Sequence, residues 1–182
     1  MLTYRLIALL LDYPSDEAMA ALRSEVQRAG EASTLVCRIA AADALDTQET
    51  DAIAAFVEDL LALPEGEAQA RYVQTFDLAA EHSLHLTHHL FGEEKTRGPA
   101  LIDLSEFYRS YGFEPDPKEL PDYLPLMLEF ASTLDATEQR VFLGDVNKVL
   151  AVLAANLEKT ASPYAPLIRI IENHSALATL AA

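Results

Sequence analysis

Apolar residues recur along this chain at the three-and-four spacing of helices, with polar residues between them. The clearest run follows Asp46-Thr47-Gln48-Glu49, which has the spacing of a capping box. Ile53, Phe56, Val57, Leu60 and Leu61 then share one face until Leu63-Pro64 halts the run, because proline lacks the amide donor a helix needs. Asp135 to Glu138 opens a second run. Its stripe of Phe142, Val146, Val149, Leu150, Leu153 and Leu157 predicts one helix reaching about Lys159, before Ser162-Pro163. Both stripes are most simply core.

Met1 to Leu11 reads as a first helix closed by Tyr13-Pro14 and Ser15-Asp16. Further helices are predicted at 16–29, ended by Gly30; 32–44; 66–78; 83–91; 98–111, ended by Gly112; 122–134; and 164–180. Nowhere do four or more residues alternate polar and apolar with β-branched enrichment, and no hairpin dipeptide separates two such runs. The expected architecture is therefore all-α: one domain over residues 1–182, built as a multi-helix bundle of roughly eight to ten helices.

A hydrophobic share of 51% over 182 residues supports a single core, and folding at this size buries roughly 70% of the unfolded surface. Cys37 is the one cysteine, which excludes an internal disulfide and a cysteine-based zinc site and suits a reducing cytosol. It is expected as a buried small apolar residue. The apolar opening is shorter than the roughly 20 residues a bilayer requires. Because it also lacks a basic leading segment and a small-residue cleavage site, a cytoplasmic, unexported protein without membrane insertion is expected.

Thirteen basic residues face twenty-nine acidic ones, a formal charge of -16. Such a surface repels nucleic-acid phosphates and anionic lipid, so a basic peptide or protein is the better electrostatic match; the same charge can also serve solubility alone.

Two stretches stand apart from this pattern. Glu114-Pro115-Asp116-Pro117-Lys118-Glu119-Leu120-Pro121-Asp122-Tyr123-Leu124-Pro125 carries four prolines, which cannot all sit inside a helix. A loop is required, with Pro121 or Pro125 in the first turn of the next helix and Asp122 as its cap. The other is Tyr72-Val73-Gln74-Thr75-Phe76-Asp77, followed by His82-Ser83-Leu84-His85-Leu86-Thr87-His88-His89. On a helix His82, His85 and His89 would share one face, which raises the question of a metal. No His-Glu-x-x-His, no Glu-x-x-His pair and no nearby cysteine completes a site, so hydrogen-bonding histidines in a groove are the favoured reading.

The six glycines form neither a dinucleotide nor a P-loop spacing, and Gly-x-Ser-x-Gly is missing. An enzyme reading has no residues to name.

Taken together, Tyr72-Val73-x-Thr75-Phe76-Asp77, His82-Ser83-Leu84-His85-Leu86, Arg97-Gly98-x-Ala100-Leu101, Glu119-Leu120-Pro121-Asp122-Tyr123-Leu124-Pro125 and Leu128-Glu129-Phe130 resemble the NarJ family, the assembly chaperones of membrane-bound respiratory nitrate reductase. Leu9-Leu10-x-Asp12-Tyr13-Pro14 and Ser162-Pro163-Tyr164-Ala165-Pro166-Leu167 extend the likeness over nearly the whole chain. The resemblance implies an all-helical protein that is not an enzyme and has no cofactor of its own. It would bind the apo catalytic (alpha) subunit of nitrate reductase through its N-terminal segment until the molybdenum cofactor is inserted, with molybdenum cofactor biosynthesis proteins as further partners. Related chaperones of trimethylamine N-oxide and dimethyl sulfoxide reductases read Glu-Pro-x-Asp-His where this chain has Glu119-Leu120-Pro121-Asp122-Tyr123. The aspartate is kept and the histidine replaced, so nucleotide binding is not carried over.

Joined to that resemblance, the residues suggest a groove that takes the partner's leader as an amphipathic helix. Phe76, Leu84 and Tyr108 would line it, and Asp77, Glu119 and Asp122 would meet basic side chains of the leader. Tyr72, His82, His85, Tyr123 and Glu129 complete the candidate peptide-binding set. Each has a plainer rival: Phe76 and Tyr108 as core, Asp77 as a helix cap. The rival readings of the whole are a generic helical adaptor and a histidine-cluster metal protein. The groove requires segments 72–89 and 119–129 to share one concavity.

Overall fold

The expected capping box at Asp46 forms, and a second one opens the helix predicted from Asp135. Asp46 accepts from the Glu49 amide at 2.8 Å while its own amide donates to Glu49 Oε2 at 3.2 Å; Asp135 and Glu138 exchange the same pair at 2.9 and 3.2 Å. Each box satisfies donors that the first turn of a helix otherwise leaves open. The computed structural model describes residues 1–43, 45–91 and 96–176. In chain order the helices are α1 (Leu2–Leu11), α2 (Asp16–Ala29), α3 (Ala32–Asp43), α4 (Thr47–Ala62), α5 (Glu67–Tyr72), α6 (Leu86–Phe91), α7 (Arg97–Ser110), α8 (Leu124–Ala131), α9 (Ala136–Gly144), α10 (Asn147–Lys159) and α11 (Ala165–Ser175). The fold is all-α, with no strand among the described residues and one isolated antiparallel bridge, His85 to Tyr123.

Three predicted helices are corrected. The run 135–159 splits at Asp145-Val146 into α9 and α10, which brings the count among described residues to eleven; α9 packs on α8 and α11, whereas α10 packs on α11 and α6. Over 66–78 the α-helix ends at Tyr72 and continues as a π-helical turn, Val73–Asp77. Residues 83–85 are not helical, because a 3₁₀ turn at Ala80–His82 and the bridge at His85 precede α6. Of the helix expected at 164–180, residues 165–175 form α11, and 177–182 lie outside the described residues.

Gly30 (φ 98°) and Gly112 (φ 72°) stop their helices in the left-handed region that only glycine enters without strain. Pro125 takes the first turn of α8, where a missing donor is harmless. The core runs along α1 and α8 and continues between α10 and α11, with Ile7, Leu11, Leu128, Leu150, Leu153 and Ile168 sealed from solvent. No described helix is long and apolar enough to cross a membrane.

Cys37 contradicts its expectation. It lies exposed on α3, whose buried stripe is Ala32, Val36 and Ala40. The folded protein should therefore titrate one thiol with a colorimetric disulfide reagent in the absence of denaturant. A thiol that reacts only after unfolding would contradict this placement.

Candidate functional site

Segments 72–89 and 119–129 meet, and they do so through the backbone. The Leu86 amide donates to Asp122 O at 3.0 Å and the Leu124 amide to Leu84 O at 2.9 Å, framing the His85–Tyr123 bridge. Asp122, 1% exposed, sits at the crossing. It does not cap α8, which starts from Tyr123 without a side-chain cap. Instead its Oδ2 accepts from the Thr87 amide at 3.1 Å and from the Thr87 hydroxyl, so it caps α6 from 35 residues away. His85 Nδ1 and Arg97 Nη2 approach it at 3.4 Å each. Burial by itself would raise this carboxyl; hydrogen bonds from His85 and Thr87 and the charge of Arg97 outweigh it and hold Asp122 below the usual carboxylate range.

Two tyrosines brace the same crossing. Tyr72 and Tyr123 share a hydroxyl–hydroxyl hydrogen bond of 2.8 Å, and the Tyr123 hydroxyl donates onward to Asp12 at 2.9 Å. Both phenols are pushed up, chiefly by burial. The Tyr108 hydroxyl donates to Pro121 O at 2.7 Å and so pins the proline loop to α7.

The concavity beside this crossing is an open groove of about 700 Å³ between α6, α7 and α9, floored by Met127 of α8. Leu86, Leu104, Phe107, Leu134 and Phe142 line it. Leu90, Phe107, Tyr111 and Val141, each 38–56% exposed, give it an apolar mouth. Among the described residues Asp103, Asp122, Glu138 and Asp145 are its charged lining residues, with no lysine or arginine beside them. Behind the wall, Phe130 holds its ring centroid 4.7–5.7 Å from those of Phe107, Tyr108, Tyr111, Phe113 and Phe142.

The expected site residues distribute unevenly over this geometry. Asp122 reaches the groove, from its floor and not from its rim. Phe76, Leu84 and Tyr108 are 6%, 3% and 0% exposed and belong to the core, so they do not form its lining. Asp77 is exposed outside it, and exposed Glu119 belongs to a separate hollow under the proline loop. Glu129 lies in another groove, against α1. The shared histidine face is absent, because residues 83–85 are not helical. His82 Nδ1 meets Thr75 O at 3.0 Å and His89 Nε2 meets Ser83 O at 2.7 Å, each ring donating to a carbonyl. Among the described residues no three His, Cys, Asp or Glu side chains gather as a metal would need.

Sequence reasoning missed Leu90, Phe107, Tyr111 and Val141. Their signal was available: each is a large apolar residue, and Val141 falls off the buried stripe of its own helix, which includes Phe142.

The family described as nitrate reductase delta subunit matches residues 41–169. The nitrate reductase molybdenum cofactor assembly chaperone NarJ of Escherichia coli (strain K12) is 35% identical over 171 residues, which is 94% of this chain and 68% of that protein. A probable chaperone of the same description from Bacillus subtilis (strain 168) is 31% identical over 173 residues, 93% of this chain and 86% of its own length. The probable assembly chaperone NarW of Escherichia coli (strain K12) is 31% identical over 160 residues, covering 88% of this chain and 62% of that protein. Their names are those of assembly chaperones and not of catalysts. With a match of this span, and relatives of this identity along nearly its whole length, the chain belongs to the nitrate reductase delta subunit family, as a NarJ-type member.

Proposed function

We propose that this protein is a cytoplasmic assembly chaperone of respiratory nitrate reductase, a binding protein without a catalytic site of its own. It takes the N-terminal segment of the apo catalytic subunit as an amphipathic helix and keeps that subunit receptive until the molybdenum cofactor has been inserted, before membrane assembly. Molybdenum cofactor biosynthesis proteins are its further partners at that stage.

The observation that carries this reading is the α6–α7–α9 groove, an apolar trough whose charged lining residues, among those described, are all carboxylates. An amphipathic helix laid there buries its apolar face against Leu90, Phe107 and Val141. Its basic side chains meet Asp103, Glu138 and Asp145, giving specificity and encounter rate more than raw affinity. Tyr72, Tyr123, His85 and Asp122 hold the wall in place from behind. Asp77 and Glu119, outside the groove, add only to the long-range negative field.

Leu90→Lys with Val141→Lys removes two exposed apolar contacts and puts like charge against a basic leader. Affinity for a synthetic leader peptide, measured by calorimetry, should fall about tenfold or more, and unfolding temperature should stay within about 2 °C because both positions are solvent-exposed. Wild-type affinity should also weaken as ionic strength rises. Unchanged binding by the double variant would remove the leader from this groove.

A further inference from the structure

We infer that the groove between α1, α2, α3 and the end of α8 is a second docking surface, separate from the first, and that its occupant is a basic amphipathic helix of a partner protein. It has a volume of about 1100 Å³. α1 buries Ile7 and Leu11 completely, yet presents Leu2, Arg5 and Leu9, with Asp12 just past its end, along this groove at steps of three and four. That is the spacing of a helix seam, and no described residue covers it. Leu2 and Leu9 stand 50% and 40% exposed, one heptad apart, and Ile39 and Phe113 supply the facing apolar wall.

Charge selects the occupant. Among the described residues Asp12, Glu25, Asp43 and Glu129 line the groove against two cations, Arg5 and the Met1 ammonium, and the latter already donates to Ser132 O at 3.0 Å. Several of these acids are already engaged: Asp43 accepts from the Thr3 amide, Asp12 from Tyr123 and the Tyr13 amide, and Glu25 from Arg28. Glu129 is not. Its carboxylate meets no hydrogen-bond donor among the described residues, and partial burial together with the neighbouring Asp12 raises it, against a smaller opposing effect of Arg5. A lysine or arginine placed over Glu129 and Asp12 relieves that repulsion. A second copy of this chain would bring the same acidic edge and its own charge of -16, and anionic lipid would be repelled likewise.

The test is calorimetry on the full chain with a synthetic helical peptide carrying leucine at steps of three, four and three and lysine at the flanking positions; a scrambled peptide of equal composition serves as control. Two classes of site are expected. Leu2→Lys with Leu9→Lys should weaken one class about tenfold or more and leave the other, while Leu90→Lys with Val141→Lys should do the reverse. Glu129→Gln should weaken only the class that the Leu2/Leu9 variant weakens and reduce its salt dependence. The inference is overturned by a single class of site lost only in the Leu90/Val141 variant, by no peptide binding, or by equal binding of the scrambled peptide. A change confined to the oligomeric state of the Leu2/Leu9 variant overturns it too, because the surface would then belong to a second copy.

Discussion

Phe130→Ala should lower unfolding stability by about 3–5 kcal/mol, the cost of emptying a fully buried aromatic site. Phe130 is 0% exposed and touches five other rings, three of which, Phe107, Tyr111 and Phe142, also line the α6–α7–α9 groove. Its removal therefore costs transfer energy, leaves a void and takes away edge-to-face contacts that add to burial. A chain of this size loses roughly 2–4 °C per kcal/mol, so the melting temperature should drop by about 10 °C. Urea unfolding is the check, with a lower midpoint at unchanged slope. A loss under about 1 kcal/mol would mean that the aromatic cluster is not a tightly packed unit. At a temperature where the variant remains folded, leader affinity should also fall, because Phe107 and Phe142 lose the ring behind them.

Much of this fold was legible in the pattern of residues, and the reason is local. Asp46 with Glu49, and Asp135 with Glu138, can recognise each other within one turn, so their spacing alone announces a helix start. Gly30 and Pro125 act within one turn too. What failed depends on distant partners. The stripe from Phe142 to Leu157 keeps its spacing through Asp145-Val146, so periodicity could not reveal the break that lets α9 reach α8 and α10 reach α6 while both pack on α11. Histidines 82, 85 and 89 lose their common face because Leu84 and Leu86 pair with the backbone at Leu124 and Asp122, a link across more than 35 positions.

The site divides along the same line. That residues 72–89 and 119–129 come together was expected from the resemblance, and they do, but their aromatic and aliphatic members close the seam instead of opening a trough. Burial is a property of the whole packing, so Phe76 and Tyr108 could not be assigned to core or groove from sequence. The residues at the groove's mouth come from positions on α6, α7 and α9, or just past α7, that point away from the buried stripes. Apolar residues in such positions are a weak signal singly, since scattered ones are ordinary; at Leu90, Phe107, Tyr111 and Val141 they become informative only once folding has collected them.

Asp122→Ala should cost about 2–4 kcal/mol, and Asp122→Asn about 1–3 kcal/mol, because removing a buried acceptor strands the donors that faced it. The lower part of the range for broken buried pairs applies, since Arg97 is 24% exposed and can turn to water. The Thr87 amide and hydroxyl cannot, for they belong to the first turn of α6. The pH dependence has a definite sign. Because the folded state holds this carboxyl below its unfolded value, its stabilisation is fully present above the ordinary carboxylate range near pH ~4 and disappears as pH falls through the depressed folded value. The stability gap between wild type and Asp122→Asn should therefore be constant near neutrality and shrink in acid. Leader affinity should fall in Asp122→Asn as well, through a loosened groove wall. Hydrogen exchange separates this from a direct contact with the leader: the Thr87 amide of the free Asp122→Asn protein should exchange about ten times faster or more, as the loss of roughly 1.4 kcal/mol of local protection requires. An unaltered Thr87 rate beside weakened leader binding would return Asp122 to the role of a charge that meets the partner itself.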